Sequence, residues 1–61
     1  MSSVEILIAD DRELFRRMAR SLVESQPGYH ICGEAGDGIE AIEKVRQLRP
    51  DIVLMDINCL E

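Results

Sequence analysis

Two apolar runs that each end in aspartate constrain the fold of this chain more than any other feature. Residues 6–9 precede Asp10 and Asp11, and residues 52–55 precede Asp56. If both runs are neighbouring parallel strands, their carboxyl ends meet at one edge of a sheet, where α/β folds place their ligand crevice. Three carboxylates from distant parts of the sequence would then converge there. Because like charges repel, such a cluster requires a bound hard cation or a raised pKa.

The pattern of apolar residues predicts an α/β unit with the order β-α-β-α-β. Strands are predicted at residues 4–9, 29–35 and 52–55, and the segments between them repeat apolar residues at helical spacing. Residues 27–28 (Pro-Gly) and 49–50 (Arg-Pro) are the predicted ends of the two helices. This order implies parallel strands joined by right-handed crossovers. The first strand is the most apolar and the second the most mixed, which favours the sheet order 2-1-3 with one helix on each face.

Acidic residues with capping-box spacing mark the predicted start of each helix. Asp10 with Glu13, and Asp37 with Glu40, place a carboxylate where it can accept from free backbone amides of the first turn. The second helix is predicted to face the sheet with one apolar stripe. Its members are Ala41, Ile42, Val45 and Leu48.

The first helix is predicted to be amphipathic, with its apolar residues at three- and four-residue steps. We expect Arg12, Arg16 and Arg17 to lie on its solvated face, because long cationic side chains usually extend into water. The alternative is that they face a kinase or another partner. The apolar face consists of Leu14, Phe15, Met18, Ala19, Leu22 and Val23.

Size and charge exclude several classes of protein. The chain has 61 residues, and a chain of about 60 residues buries only roughly 60% of its unfolded surface. The net charge of −5 disfavours nonspecific attraction to nucleic acid and to anionic membranes. No apolar stretch approaches the ~20 residues that span a bilayer, and the first residues do not resemble a signal peptide. We therefore expect a cytoplasmic location, with neither nucleic acid nor a membrane as partner.

The cysteines and the single histidine do not form a metal-binding pattern. Cys32 and Cys59 lack zinc-like spacing, and His30 belongs to the same predicted strand as Cys32. We expect both cysteines to be reduced thiols, because disulfides are scarce in the cytosol. His30 has no obvious partner in the sequence, and we expect it to have a structural or surface role.

The predicted acidic cluster suits magnesium chemistry. Mg²⁺ prefers oxygen ligands, keeps several waters and takes one or two carboxylates from a protein. A carboxylate beside the cation can attack a phosphoryl group, because the metal neutralises charge on both reactants, and Asp56 would be that nucleophile. The alternative is that these residues are strand-end and helix-cap acids in solvent, most plausibly so for Asp10, since caps favour aspartate in any case.

Several motifs resemble the receiver domain of two-component response regulators. They are Ile8-Ala9-Asp10-Asp11, the glycine-containing turn at residues 33–38, Ala41-Ile42 in the second helix, and the run at residues 49–57. Their order and spacing match the family over nearly the whole chain. The chain resembles in particular the branch with a LuxR-type DNA-binding output domain. The resemblance implies a flavodoxin-like fold, a role in the phosphorelay of a transcriptional regulator, and a sensor histidine kinase as partner.

The resemblance also implies a role for each acidic residue. Asp56 matches the aspartate that accepts a phosphoryl group from the kinase histidine. Asp10 and Asp11 match the pair that organises Mg²⁺, with Asp11 as the more direct ligand. Asn58 matches the residue whose backbone carbonyl completes the protein ligands of the metal, which also include Asp56. The chain would act as a phosphoacceptor and not as an enzyme with turnover.

The sequence departs from the family after Asn58. The family usually continues with Met-Pro, two further strands and three helices, including the Ser or Thr and the Lys that contact the phosphoryl group. Residues 1–61 are therefore expected to be a partial receiver domain, its first half only. Without those contacts we expect Asp56 to be phosphorylated slowly or not at all, because the developing charge is not neutralised.

Two alternatives to a working phosphoacceptor follow from the same residues. The third predicted strand would be an apolar edge, so the chain could be a self-assembling half-domain, a homodimer through that edge, with a vestigial site. An aspartate-nucleophile phosphatase is disfavoured. In that superfamily the nucleophile follows the first strand and heads an Asp-x-Asp pair, which Asp56 does not do.

Overall fold

A computed structural model of the chain describes residues 3–55, and it has the predicted order β-α-β-α-β. Among these residues no helix is long and apolar enough to cross a membrane. The elements are β1 (Val4–Ala9), α1 (Glu13–Glu24), β2 (Tyr29–Ala35), α2 (Gly38–Leu48) and β3 (Ile52–Met55).

The three strands form one parallel sheet in the order β2-β1-β3, as predicted. This is a partial flavodoxin-like fold. Ala9 at the end of β1 is paired with Ala35 of β2 on one side and with Met55 of β3 on the other. The carboxyl ends of all three strands therefore lie at the same edge of the sheet. The register between β1 and β2 shifts at Ile6 and Leu7, where β2 carries one extra residue.

The core is centred on β1, which is buried on both faces. Ile6 and Ile8 form one cluster with Ile31 of β2, and Ala19 and Val23 of α1 pack against it. On the other face, Ala9 and Ala35 form a second cluster with Ala41 of α2. Alternate residues of a strand point to opposite faces, so the two helices cover opposite sides of the sheet.

The starts of the two helices differ from each other. Asp37 caps α2 as predicted, since its Oδ1 accepts from the backbone N of Glu40 at 2.7 Å. The predicted cap at Asp10 is wrong. The N-cap of α1 is Arg12, which makes no side-chain cap hydrogen bond. The backbone N of Asp10 donates to Ala35 at 3.0 Å, so Asp10 extends the pairing of β1 and does not begin the helix.

The core covers only part of the apolar surface of the chain. No residue of α1 is buried, although its apolar face points as predicted, and Leu14, Met18 and Leu22 are largely exposed. The four residues of β3 are each 36–42% exposed. Open apolar grooves lie on both sides of β3, one beside α1 and one beside α2. The two helices therefore cover β1 on both faces and leave the apolar side chains of β3 partly exposed to solvent.

Candidate functional site

Asp10 is a buried carboxylate at the carboxyl end of β1, and Arg12 is bonded to both of its oxygens. Its side chain is 0% exposed. Oδ1 accepts from the backbone N of Arg12 at 2.8 Å and from its Nε at 3.1 Å, and Oδ2 accepts from Nη2 at 3.3 Å. The interpretation of Asp10 as a helix-cap acid in solvent is therefore wrong.

The charge state of Asp10 follows from these contacts. The side-chain hydrogen bond from Arg12 holds the pKa of Asp10 below its ordinary value, and it outweighs the burial that acts in the opposite direction. The backbone N and the charge of Arg12 lower this pKa further, as does the neighbouring Asp11 to a smaller extent. Asp10 is thus an ionised carboxylate at neutral pH, which is the form that could bind a cation.

The other predicted ligands differ in where they lie. Asp11 is exposed and follows directly on Asp10. Met55, the residue before Asp56, is the register partner of Ala9, the residue before Asp10. Asp56 and Asn58 lie outside residues 3–55, so their predicted roles stay predictions. Within residues 3–55 there is no group of three or more His, Cys, Asp and Glu side chains that could hold a metal ion.

A second set of charged residues holds the backbone at the carboxyl ends of β1 and β2. Arg16 donates through Nη1 to the backbone carbonyl of Asp10 at 2.6 Å and through Nε to Glu34 at 3.2 Å. Arg20 donates to the other carboxylate oxygen of Glu34 at 2.8 Å, and Lys44 of α2 donates to the Glu34 backbone carbonyl. Glu34 thus connects α1, β2 and α2, and through Arg16 it fixes the backbone that presents Asp10.

Sequence reasoning missed this network. Arg12 and Arg16 were expected on a solvated face. Arg12 is exposed as expected and Arg16 is half-buried, but both bind acidic or carbonyl groups at the sheet edge. Arg17 is exposed, as expected. A signal was present in the i, i+4 spacing of Arg16 and Arg20, which places both side chains on one helix face, opposite a glutamate at the end of the edge strand.

His30 and Cys32 lie away from the site, on the side of β2 that is nearer its amino end. The Nδ1 of His30 is 2.7 Å from Glu5, so the expectation that His30 lacks a partner is wrong, although its surface location is confirmed. This contact lowers the pKa of Glu5. Cys32 is a free, half-buried thiol whose pKa is raised by burial, so it is protonated at neutral pH. Cys59 lies outside the part of the chain that the structure describes.

Comparison with known proteins identifies the family to which this fold and site belong. Residues 6–59 match the family described as the response regulator receiver domain. The chain belongs to this family, and it is a receiver segment of two-component signalling.

Individual relatives agree with this assignment. The protein-glutamate methylesterase/protein-glutamine glutaminase of Pyrococcus horikoshii is 43% identical over 55 residues, which are 90% of this chain and 15% of the relative. The enzyme of the same name, numbered 2, from Carboxydothermus hydrogenoformans is 41% identical over the whole chain, which covers 17% of the relative. The chain therefore spans less than a fifth of the length of these curated relatives.

Solved structures show the same architecture. The response regulator domain of Thermotoga maritima CheB superimposes with a TM-score of 0.83 at 35% identity, over 84% of this chain and 38% of that chain. RcsB from Salmonella enterica superimposes with a TM-score of 0.88 at 20% identity, over 97% of this chain and 29% of that one, which shows the shared fold alone. The predicted affinity to the LuxR-type branch is not supported by these relatives, since the curated ones are methylesterases.

Proposed function

We propose that this chain is the phosphoacceptor segment of a response regulator, in which Asp56 receives a phosphoryl group from a sensor histidine kinase. The observation that carries the proposal is the pairing of Ala9 with Met55 in adjacent parallel strands. Asp10 and Asp56 are the next residues in the sequence, and the carboxyl ends of these two strands lie at the edge of the sheet where α/β folds bind ligands. Asp56 acts as a single-turnover acceptor, so the chain is a signalling component and not an enzyme.

Mg²⁺ is the proposed cofactor, and the donor chemistry of the site fits it. Asp10 and Asp11 offer hard carboxylate oxygens, and Asp10 is held ionised. Asp56 and the Asn58 carbonyl complete the proposed protein ligands. When bound, the ion would offset the repulsion between the nucleophilic carboxylate and the incoming phosphoryl group. Asp11 is exposed and is thus more open to the ion than the buried Asp10.

The output of the signal is proposed from the named relatives. Two relatives that are more than 40% identical to this chain over the aligned residues are named as protein-glutamate methylesterases, which supports a methylesterase-type effector. A LuxR-type DNA-binding output, with transcription as the response, is the competing proposal and has less support. In either case this segment contacts the kinase. Its net charge of −5 disfavours direct contact with nucleic acid or an anionic membrane. We therefore propose a cytoplasmic location for the protein.

Phosphorylation by a small phosphodonor tests the proposed function. The chain, Asp56→Asn and Asp51→Asn are incubated for a long period with acetyl phosphate, with and without Mg²⁺, and analysed by intact mass and peptide mapping. Asp51 is exposed at the opposite end of β3, where its Oδ2 accepts from the backbone N of Glu5 at 2.8 Å. Asparagine removes the same charge and keeps a side-chain oxygen that can accept this bond. We expect Mg²⁺-dependent incorporation in the wild type and Asp51→Asn, and none in Asp56→Asn. Incorporation that persists in Asp56→Asn would contradict the proposal.

A self-assembling half-domain with a vestigial site is the second candidate, and a specific observation favours it. Within residues 3–55, β3 pairs only with β1, and its side chains are exposed on both faces. An apolar edge of this kind recruits another strand, and a two-fold contact between identical edges closes on itself. This candidate predicts strong self-association without phosphorylation of any variant, whereas the first predicts phosphorylation of Asp56 whatever the oligomeric state.

A further inference from the structure

We propose that the Arg12 side chain is the counter-cation of the acids at the end of β1, Asp10 and Asp11. Its guanidinium must leave Asp10 before a metal ion can bind there. Arg12 bonds both oxygens of Asp10 in the arrangement of a bidentate guanidinium–carboxylate pair. The side chain of Asp10 is 0% exposed while that of Arg12 is 59% exposed. The carboxylate is thus shielded from solvent, whereas the guanidinium bonded to both of its oxygens is accessible to solvent. This inference rests on the proposed magnesium site.

The competition follows from charge and geometry. A carboxylate oxygen that accepts from a guanidinium presents the same lone pairs that a metal ion would use, so both cannot be satisfied fully at once. A guanidinium and a divalent cation bound to the same carboxylate would also repel each other. Arg12 therefore compensates the charge of Asp10 in the metal-free state, and it raises the concentration of Mg²⁺ at which the site fills.

Neighbouring contacts allow this exchange to occur without a change of the backbone. Arg16 holds the carbonyl of Asp10 independently of Arg12, and it is fixed in turn by Glu34. The guanidinium carbon of Arg12 lies 5.0 Å from the centroid of the Phe15 ring, which provides a cation–π contact beside the acids. The exchange is thus a movement of one side chain over a fixed strand end.

Mg²⁺ affinity in a matched pair of variants tests the inference. Dissociation constants are measured from the NMR shifts of the Asp11 amide in the wild type, Arg12→Met and Arg17→Met. Arg17 is exposed on α1, the helix that Arg12 caps, so its substitution changes the net charge equally. We expect Arg12→Met to bind Mg²⁺ about five- to tenfold more tightly than Arg17→Met, because the competing charge-assisted hydrogen bonds are gone. Equal or weaker binding by Arg12→Met would overturn the inference.

The arginine side chains of the wild type supply a second readout that does not depend on a variant. Addition of Mg²⁺ should shift the Nε–H signal of Arg12 and speed its exchange with water, while the Nε–H of Arg20, held by Glu34, stays unchanged. A stationary Arg12 signal during metal binding would also overturn the inference. If the Asp11 amide responds in no variant, the magnesium site itself fails and the inference fails with it. If Mg²⁺ binds with the same affinity in Arg12→Met and Arg17→Met, the magnesium site stands and only the inference about Arg12 fails.

Discussion

Replacing Leu7 by alanine is expected to unfold most of the protein at room temperature. Leu7 is 0% exposed, and it lies in the central strand of a small sheet. A buried Leu→Ala change costs about 2–5 kcal/mol, since it removes apolar contacts and leaves a cavity. A single core in a chain of this size rarely supplies more than about 3–5 kcal/mol of stability. The loss is therefore as large as the whole free energy of unfolding.

Leu14→Ala is the matched control for this prediction. It makes the same chemical change in α1 at a side chain that is 69% exposed, and it should alter the free energy of unfolding by no more than about 0.5 kcal/mol. Urea unfolding followed by circular dichroism measures both variants. Equal midpoints for Leu7→Ala and Leu14→Ala would show that the core is not centred on β1.

Leu54→Pro is expected to convert a self-associated chain to monomers. The backbone N of Asp51 donates to Glu5 of β1 at 2.8 Å, so by strand alternation the N–H groups of Ile52 and Leu54 point away from β1 toward the free edge. Proline at position 54 removes one of these outward donors, and edge strands tolerate it because no bond to the neighbouring strand is lost. Pairing of two β3 edges should therefore fail while β1 and β3 stay paired.

Light scattering at micromolar concentration measures the oligomeric state, and it distinguishes the contribution of the Leu54 backbone N–H to dimer formation from that of its side chain. The wild type and Leu54→Ala, which keeps the outward N–H, are expected to be dimers, whereas Leu54→Pro is expected to be a folded monomer. A dimeric Leu54→Pro would place the interface elsewhere, for example on the apolar face of α1. A folded, monomeric wild type would exclude self-association through β3 altogether.

The elements and the sheet order could be predicted because they depend on features that are local in sequence. The alternation and apolar density of residues 4–9 identify a central strand, and Asp37 with Glu40 marks the start of α2 correctly. The same spacing failed at Asp10 with Glu13. The backbone N of Asp10 donates across the sheet to Ala35, directly after the end of β1, and a contact between two strands is not encoded by local spacing.

The partners of the charged residues could not be predicted for a similar reason. Periodicity identifies the face of α1 on which Arg16 lies, but it does not show that the end of β2 brings Glu34 within reach of that face. Arg12 is the extended N-cap residue between β1 and α1, where no helical or strand period applies. Likewise, the apolar pattern of α1 identifies the residues on its hydrophobic face, but it does not show which part of a protein packs against that face. Leu14 and Leu22 are exposed in this structure.

The central claim is that the acids after β1 and β3 form one magnesium site, and a Mg²⁺ titration followed by NMR tests it most directly. The amides of Asp11 and Asp56 are observed together in the wild type and in Asp11→Asn. We predict that both amides of the wild type follow a single binding curve, and that Asp11→Asn weakens the response at Asp56. Separate curves, or a response of Asp56 that is unaffected by the loss of Asp11, would contradict the account.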